Sequence, residues 1–493
     1  MIVHVLLLGI AVAVFFSSLA KATRPRLPPT ILTPVPILSL FAALKFVRNS
    51  RGLLQRGYNK YKGGTFRVPE FQKWRVIVTS PRLVEELRKS PEDALSFDGA
   101  FAEILQTDYT IGPNIQRRPY HLGIIRHDLT RKMSSILPDV HDEVVVTCNE
   151  LIQPSDEWVA LPGLSTMMKV ISRSSNRVFV GLPKCRDPDY TELCIKFTVD
   201  VAKAAIVLNI FPKVLRPLAA KLFTSAPSSI QRGNAHLVPI IHERYKILEE
   251  YGPAWEGKPN DMLSWLMDSA EGEEKEAQAL ALRVLSLNFA SIHTTSMSAT
   301  HALFHLASSP EYLQPLREEI QQCVKEDGWS KAAVQKMQKM DSFVRESLRF
   351  HGIGQLALTR RAMRDYSLSD GTLIAAGSFV SAASWFMHHD NEYYEDANTF
   401  KPWRFANING NNDEGAKHQA SSTSPEYMAF GHGKHACPGR FFAVNELKVL
   451  LAHLVMTYDM KLENEGKMPD DFIFHLSLLP DPKVKVLFRR RRA

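Results

Sequence analysis

The order of apolar and polar positions along the chain predicts a body rich in helices with a small β part. Residues 281–307 form a long helical pattern with few charges, which is typical of a helix that crosses a protein interior. Amphipathic helices are predicted at residues 311–327, 331–350 and 439–458. Short β-like runs occur at residues 65–79, 366–383 and 472–488. We therefore expect a mainly α fold of the α+β type.

The chain begins with an almost wholly apolar stretch, residues 2–20. As a helix it would span about 28 Å, roughly one hydrocarbon core. Basic residues follow this stretch and none precedes it, so the positive-inside rule places the body of the protein in the cytosol. A cleaved signal peptide is the alternative, but it usually carries its positive charge first. We predict a transmembrane anchor at 1–20, a proline-rich basic hinge at 21–40 and one globular domain at 41–493.

The composition excludes several classes of protein. With 45% hydrophobic and 23% charged residues the chain is not disordered, and five Cys in 493 residues do not make a disulfide scaffold. The five include no Cys-x-x-Cys pair, which fits a reducing compartment. Four consecutive arginines, 489–492, supply half of the net charge of +8. They are either a solvated end or a contact with an anionic membrane surface, and nothing in the chain indicates nucleic-acid binding.

The most specific stretch for chemistry is residues 430–440, which read FGHGKHACPGR. Its glycines allow a tight loop, and Cys437 stands just before a predicted helix, where free N–H groups and the helix dipole favour a thiolate. A thiolate in such a loop can be the axial ligand of a haem iron. One alternative is an inert buried cysteine. Another is a transition-metal site of His432, His435 and Cys437, but zinc ligands usually come with a second cluster and we find none.

This loop resembles the haem-binding loop of the cytochrome P-450 family, whose pattern is Phe-x-x-Gly-x-Arg-x-Cys-x-Gly. Phe430, Gly433, Cys437 and Gly439 match the pattern, while His435 stands where the family usually has an arginine that pairs with a haem propionate. The resemblance implies the cytochrome P-450 fold, with a long central helix over the haem. It also implies haem b with Cys437 as the axial iron ligand, contacted by Phe430 and by a hydrogen bond from His435.

Two further elements of the family lie upstream in the expected order. Glu346 and Arg349 share a helix face, which alone would predict only a common solvated pair. In the family, such a Glu-x-x-Arg pair locks to an arginine in a Pro-x-Arg-Phe segment, and Arg404 occupies that place here within residues 402–405. The resemblance implies a structural role for these three residues, which hold the Cys loop.

The long predicted helix carries the segment ASIHTT, residues 290–295, where the family has (Ala/Gly)-Gly-x-(Asp/Glu)-Thr-(Thr/Ser). Thr294 matches the threonine that the family uses in oxygen activation and proton delivery. Ser291 replaces the usual glycine and His293 replaces the usual acid. Histidine can relay protons near neutral pH, so we name Thr294 and His293 as candidate catalytic residues. The structural alternative for the threonine is a hydrogen bond to the preceding helical turn.

Two arginines are candidates for further haem contacts by resemblance. Arg360 occupies the place of a family arginine that meets a propionate, with Arg361 as the alternative. Arg126 is our choice for the arginine of the family's Trp-x-x-x-Arg helix, although no tryptophan precedes it here.

The segments 172–183 and 288–296 look like the fungal endoplasmic-reticulum branch of the family, which oxidises terpenoids, polyketides and indole-terpenoids. The resemblance implies a single-pass protein of the endoplasmic reticulum membrane with a cytosolic haem-thiolate domain at 41–493. Its activity would be monooxygenation of an apolar small molecule. Since the sequence shows no flavin or dinucleotide-binding motif, electrons would come from NADPH through cytochrome P-450 reductase, with cytochrome b5 as an optional donor. The alternatives are a reductase-independent isomerase or dehydratase, and a non-enzymatic haem-binding membrane protein.

Overall fold

The computed structural model describes residues 27–31, 46, 48–70, 73–406, 418–464 and 466–492. The predicted anchor at 1–20 lies outside these residues, as does most of the predicted hinge at 21–40. Among the helices of the described residues, none has both the length and the apolar character needed to cross a membrane.

Helices make up most of the described chain. They are, in order, α1 (Ser50–Lys60), α2 (Pro81–Lys89), α3 (Phe97–Leu105), α4 (Thr107–Thr110), α5 (Asn114–Arg117), α6 (Tyr120–Gly123), α7 (Met133–Ile152), α8 (Gly163–Phe179), α9 (Pro188–Ile210), α10 (Arg216–Phe223), α11 (Ala226–Tyr251), α12 (Met262–Ser269), α13 (Ala277–Ser308), α14 (Leu313–Asp327), α15 (Lys331–Lys336), α16 (Gln338–Phe350), α17 (Ser384–His388) and α18 (Arg440–Thr457). A π-helical turn, Ile124–Leu129, follows α6.

The strands are short and few by comparison. They are β1 (Thr65–Glu70), β2 (Lys73–Val78), β3 (Leu95–Ser96), β4 (Val159–Pro162), β5 (Ala357–Ala362), β6 (Tyr366–Ser367), β7 (Leu373–Ile374), β8 (Phe379–Ala382), β9 (Tyr458–Leu462), β10 (Phe472–Phe474), β11 (Ser477–Leu479) and β12 (Lys485–Arg490). The predicted mainly helical fold with a small β part is confirmed.

The chain divides into two compact units. The smaller comprises the described residues up to Phe97 together with Leu358–Ala383. It contains a five-stranded sheet in the order β1-β2-β8-β5-β3. Strands β1 and β2 form an antiparallel hairpin, and β2 pairs in parallel with β8.

The larger unit, Asp98–Ala357 with Ser384–Ala493, is built around α13. Most residues of this 32-residue helix are buried, and it packs against α8, α9, α11 and α18. Burial on all sides is why its sequence is apolar over its whole length rather than along one stripe. A three-stranded sheet, β4-β12-β9, and the β10–β11 hairpin complete this unit.

The predicted helices differ from the structure mainly at their ends. The long helix extends from residue 277 to 308 rather than from 281 to 307. The segment 331–350 is two helices, because Met337 leaves the helical conformation with ψ at 80°. No glycine or proline marks this break, so the sequence pattern does not reveal it.

The C-terminal arginines are partly structured. Arg489 and Arg490 belong to β12. Arg489 donates to Oδ2 of Asp459 at 3.1 Å, and Arg490 donates to the carbonyl oxygen of Pro154 at 2.9 Å. The first two arginines therefore belong to a sheet, although Arg490 remains exposed, as a solvated end would be.

Candidate functional site

The loop before α18 is closed by backbone hydrogen bonds. The N–H of Cys437 donates to the carbonyl oxygen of Phe430 at 2.8 Å, and the N–H of Gly431 donates to that of Met428 at 3.0 Å. Gly431 and Gly433 have φ angles of 69° and 77°, which side-chain-bearing residues rarely adopt. These two glycines therefore make the turn that brings Phe430 and Cys437 together.

Cys437 lies half-buried at the start of α18, as the sequence predicts. Backbone N–H groups of Gly439 and Arg440 donate to its sulfur. Burial nevertheless raises the pKa of the Cys437 thiol, and the two N–H groups and the charge of Arg440 offset this only in part. The N–H groups at the helix start favour the thiolate, as the sequence argument predicts, while burial of the sulfur opposes it. A metal ion bound to the sulfur would remove the proton outright.

Arg126 contacts the same loop. It lies in the π-helical turn after α6, and its Nη2 donates to the carbonyl oxygen of Lys434 at 3.2 Å. His435 is the last residue of a short 3₁₀ turn, Gly433–His435, two residues before the cysteine. The structure thus brings together four of the predicted haem contacts: Cys437, Phe430, His435 and Arg126.

Two residues that the sequence argument did not assign to the site also hold this loop. Arg440 donates through Nη1 to the carbonyl oxygen of Cys437 and through Nε to that of Ser421, each at 3.0 Å. His388 accepts the N–H of Met428 at 3.0 Å, while its other ring nitrogen lies 3.2 Å from the carbonyl oxygen of Arg349. The adjacent histidines 388 and 389 lie in no sequence motif that marks them as part of this site.

The buried ion cluster predicted from Glu346, Arg349 and Arg404 is present. Arg349 donates to both carboxylate oxygens of Glu346, at 2.7 and 2.8 Å. Arg404 donates through Nε to the same two oxygens, at 3.1 and 3.0 Å. Glu346 and Arg349 are fully buried, so this is not the solvated pair that their spacing alone would suggest.

Thr294 and His293 lie in the middle of α13. Thr294 is half-buried, and its hydroxyl donates to the carbonyl oxygen of Ala290 at 2.9 Å. This is the hydrogen bond to the preceding helical turn that the sequence also allows. Ala290 is exposed, one turn earlier on this otherwise buried helix. The helix therefore has an open strip at the point where the family motif lies.

His293 points to a neighbouring helix. Its Nε2 donates to the carbonyl oxygen of Ile195 on α9 at 2.8 Å. Burial lowers the pKa of His293, so the ring is neutral near pH 7. Only Nδ1 of this ring remains to accept a proton in a relay.

Arg360 belongs to the smaller unit, whereas the other predicted haem contacts belong to the larger one. It is buried in β5, where its guanidinium lies 5.5 Å from the ring centre of Phe97. Its Nη1 donates to the carbonyl oxygen of Thr359 at 3.0 Å. Contact with a haem propionate stays a prediction for this residue.

The donor set around Cys437 fits a haem better than a bare metal ion. Within the described part of the chain, His432, His435 and Cys437 do not bring three ligand atoms within 4.8 Å of one another, as sharing one ion would require. A single sulfur ligand in a glycine-rich loop suits a group that carries its own in-plane nitrogen ligands. The geometry of these three residues therefore gives no support to a shared transition-metal ion.

Comparisons with known proteins agree over nearly the whole chain. A family model described as cytochrome P450 matches residues 29–488. The chain is 43% identical to cytochrome P450 monooxygenase 151 of Postia placenta, over 95% of this chain and 94% of the relative. It is 31% identical to ent-kaurene oxidase P450-4 of Gibberella fujikuroi, over 91% of this chain and 89% of the relative. The solved structure of retinoic acid bound cyanobacterial CYP120A1 has a TM-score of 0.71 and 19% identity, covering 95% of this chain and 100% of that one, so it is similar in fold.

Proposed function

This chain belongs to the cytochrome P450 family, and we propose that it is a membrane-anchored monooxygenase that oxidises a terpenoid or a related secondary-metabolite intermediate. The enzyme is a monooxygenase, as its relatives are. The family uses haem with a cysteine thiolate ligand and electrons from NAD(P)H delivered through a reductase. The observation that carries the proposal is Cys437, held by the closed loop to Phe430 and approached at its sulfur by two backbone N–H groups.

Haem b, when bound, supplies the iron at which O2 is activated. Cys437 would hold the haem iron through its thiolate, and its sulfur accepts hydrogen bonds from the N–H groups of Gly439 and Arg440. These N–H groups disperse negative charge on the sulfur and fix its direction. Arg126 and His435, both at the same loop, would hold haem propionates, Arg126 by its charge and His435 by a hydrogen bond.

Proton delivery is assigned to Thr294 and, in second place, to His293. The Thr294 hydroxyl can exchange its hydrogen bond to Ala290 for one to a group on the open strip of α13. His293 can take part only through Nδ1, because Nε2 donates to Ile195. In this arrangement His293 also fixes α9 against α13.

A terpenoid substrate is supported by the chemistry around the open strip and by one relative. Ala290, which is exposed, and Phe289, which is half-buried, offer apolar surface that suits a hydrocarbon skeleton. The name of the Gibberella relative states that it oxidises ent-kaurene, a terpenoid hydrocarbon.

The remaining parts of the proposal concern location and partners. Residues 2–20 are the proposed single-pass anchor in the endoplasmic reticulum membrane, with the catalytic domain in the cytosol. The electron donor is NADPH-cytochrome P450 reductase, with cytochrome b5 as a second donor. Lys434 is exposed beside the Cys loop and offers a positive charge to an acidic reductase surface.

The test is turnover in membranes that contain the full chain and the reductase. Terpenoid hydrocarbons are supplied with NADPH under O2, under argon, and without NADPH. We expect hydroxylated or further oxidised products only when both NADPH and O2 are present. Product formation in the absence of both NADPH and O2 would instead show a reductase-independent isomerase or dehydratase. Haem binding without any spectral response to apolar ligands would show a non-enzymatic protein.

A further inference from the structure

Three histidines and one aspartate meet inside the larger unit, in a cluster that the proposed reaction does not use. His301 and His305 lie one turn apart on α13, His351 follows α16, and Asp471 precedes β10. The three histidines are 1 to 5% exposed. The cluster therefore joins three distant segments of the chain in a buried place.

The ligand atoms of three of these residues are close together. Oδ1 of Asp471 lies 3.2 Å from Nε2 of His301 and 2.9 Å from Nδ1 of His351. All three atoms lie within 4.8 Å of one another. Ligands bound at 2.0–2.2 Å to one tetrahedral zinc ion lie about 3.3 Å apart, so small side-chain movements would accommodate an ion.

The charge of the cluster favours a cation. Among the described residues, Asp471 forms ion pairs with His301 and His351 and with no lysine or arginine. Both partners are histidines, whose rings carry a charge only when protonated. A buried carboxylate without a cationic partner is costly, whereas a divalent ion would compensate it.

His301 has one ring nitrogen without a partner. Its Nδ1 forms no hydrogen bond among the described residues, although the ring is buried, while its Nε2 lies 3.2 Å from Oδ1 of Asp471. The ring stacks on that of His351, with centres 4.1 Å apart and planes at 5°, so the two lone pairs do not converge in this conformation. A turn of the His301 ring toward an ion shared with Asp471 would break this stack and replace the direct contact between Nε2 and Oδ1.

His305 provides the support that metal-bound histidines commonly have. Its Nε2 lies 2.9 Å from Nε2 of His351, and its ring stacks on Phe400 with centres 3.6 Å apart. Without an ion, Nδ1 of His351 donates to Oδ1 of Asp471, so its Nε2 accepts from Nε2 of His305. A bound ion would replace the proton on Nδ1, and Nε2 of His351 would then donate to His305. A ligand histidine whose other nitrogen is hydrogen-bonded is the usual arrangement around zinc.

We propose that His301, His351 and Asp471 bind one divalent transition-metal ion, with Zn²⁺ favoured by the two imidazoles and one carboxylate, and that His305 orients His351. The ion links α13, the end of α16 and the start of β10. Its role is structural, because it fastens the β10–β11 hairpin to the central helix.

The experiment measures metal in the purified holoenzyme. The full chain is expressed with added zinc and purified through a tag without histidines, and zinc and iron are counted by mass spectrometry. We expect about one zinc per haem iron, retained after dialysis, and a zinc X-ray absorption spectrum with nitrogen and oxygen ligands at about 2.0–2.1 Å. Zinc below about a tenth of the iron would show a purely hydrogen-bonded cluster and would overturn the proposal.

The variants locate the ion. His301→Ala combined with Asp471→Asn should lower the zinc content at least tenfold, whereas His141→Ala, at another histidine of this unit, should leave it unchanged. Zinc that persists in the double variant also overturns the proposal. If the double variant does not fold, the wild-type protein is made to compete with a zinc-binding dye for Zn²⁺. Stoichiometric binding with the expected absorption spectrum supports the site, and the absence of such binding overturns the proposal. The result is independent of substrate turnover.

Discussion

Arg404 donates through one nitrogen, Nε, to both carboxylate oxygens of Glu346, to which Arg349, one helical turn along α16, also donates two hydrogen bonds. The N–H of Lys401 adds a fifth contact to this carboxylate at 2.9 Å. One buried negative charge thus fixes the segment around residue 400 to α16. Its removal would leave two guanidinium groups without their shared partner.

Glu346→Gln should therefore cost about 3–5 kcal/mol of stability and sharply reduce the yield of haem-loaded protein. The measurement is the amount of haem-thiolate protein per total protein, with a thermal unfolding midpoint. Glu318→Gln is the matched control, since Glu318 is exposed and its contact is with Gln314 on the same helix. Equal yields from the two variants would show that the buried cluster is not what holds this region.

Arg126→Ala should speed the loss of haem. The change removes a hydrogen bond to the Lys434 carbonyl and the charge proposed to face a propionate, a loss of about 1.5–3 kcal/mol, or roughly ten- to a hundredfold in the dissociation rate. Transfer of haem to apomyoglobin measures this rate. Arg131→Ala is the control, because Arg131 is 76% exposed and forms only a surface pair with Asp128. A dissociation rate in Arg126→Ala no faster than in the control would remove Arg126 from the haem site.

Thr294→Ala should separate NADPH consumption from product formation. Loss of a proton-delivering group typically costs two to four orders of magnitude in rate, so we expect product per NADPH to fall at least about tenfold while hydrogen peroxide rises. Ser298→Ala, one turn further along α13 and bonded to the Thr294 carbonyl, is the control. Undiminished coupling in Thr294→Ala would contradict the assignment.

His388 should make the protein less stable in acid. Burial, with the nearby charge of Arg349, lowers the pKa of His388 to about 3, so the folded protein keeps this ring neutral while the unfolded chain protonates it below about pH 6.5. Its contribution to stability is complete above that pH and is lost as the pH falls toward 3. Between pH 7 and pH 5 the expected loss is about 2 kcal/mol.

His388→Gln tests this dependence, because the amide can donate and accept hydrogen bonds but does not titrate in this range. Denaturant unfolding at pH 5, 6 and 7 should show a shallower pH dependence in the variant, by about 2 kcal/mol in total between pH 7 and pH 5. The other buried histidines are common to both proteins and cancel in the comparison. If the free energy of unfolding has the same pH dependence in both proteins, the His388 ring is protonated in the folded state, which would contradict the prediction.

The sequence predicts those parts of the site that are contiguous or that follow a fixed family order. The loop from Phe430 to Gly439 is one stretch, and the positive φ angles of Gly431 and Gly433 explain its glycines. Glu346, Arg349 and Arg404 were recognisable because their order and spacing are those of a known cluster. Local spacing alone would not have distinguished them from surface charges.

Other contacts depend on tertiary packing and leave no local signal. His388 acts by joining the backbone at Arg349 to that at Met428, which no sequence pattern places together. The hydrogen bond from His293 to Ile195 likewise depends on how α9 packs on α13. The pKa of Cys437 depends on a balance between burial and N–H donors that only the folded loop sets.

The most direct test of the account is the reduced, carbon monoxide-bound difference spectrum of the full-length protein beside Cys437→Ser. Ligation by the Cys437 thiolate predicts a Soret band at about 450 nm that is absent from the variant. A band at about 420 nm in the undenatured wild-type protein, or a 450 nm band that survives in Cys437→Ser, would contradict the assignment of Cys437 as the axial ligand.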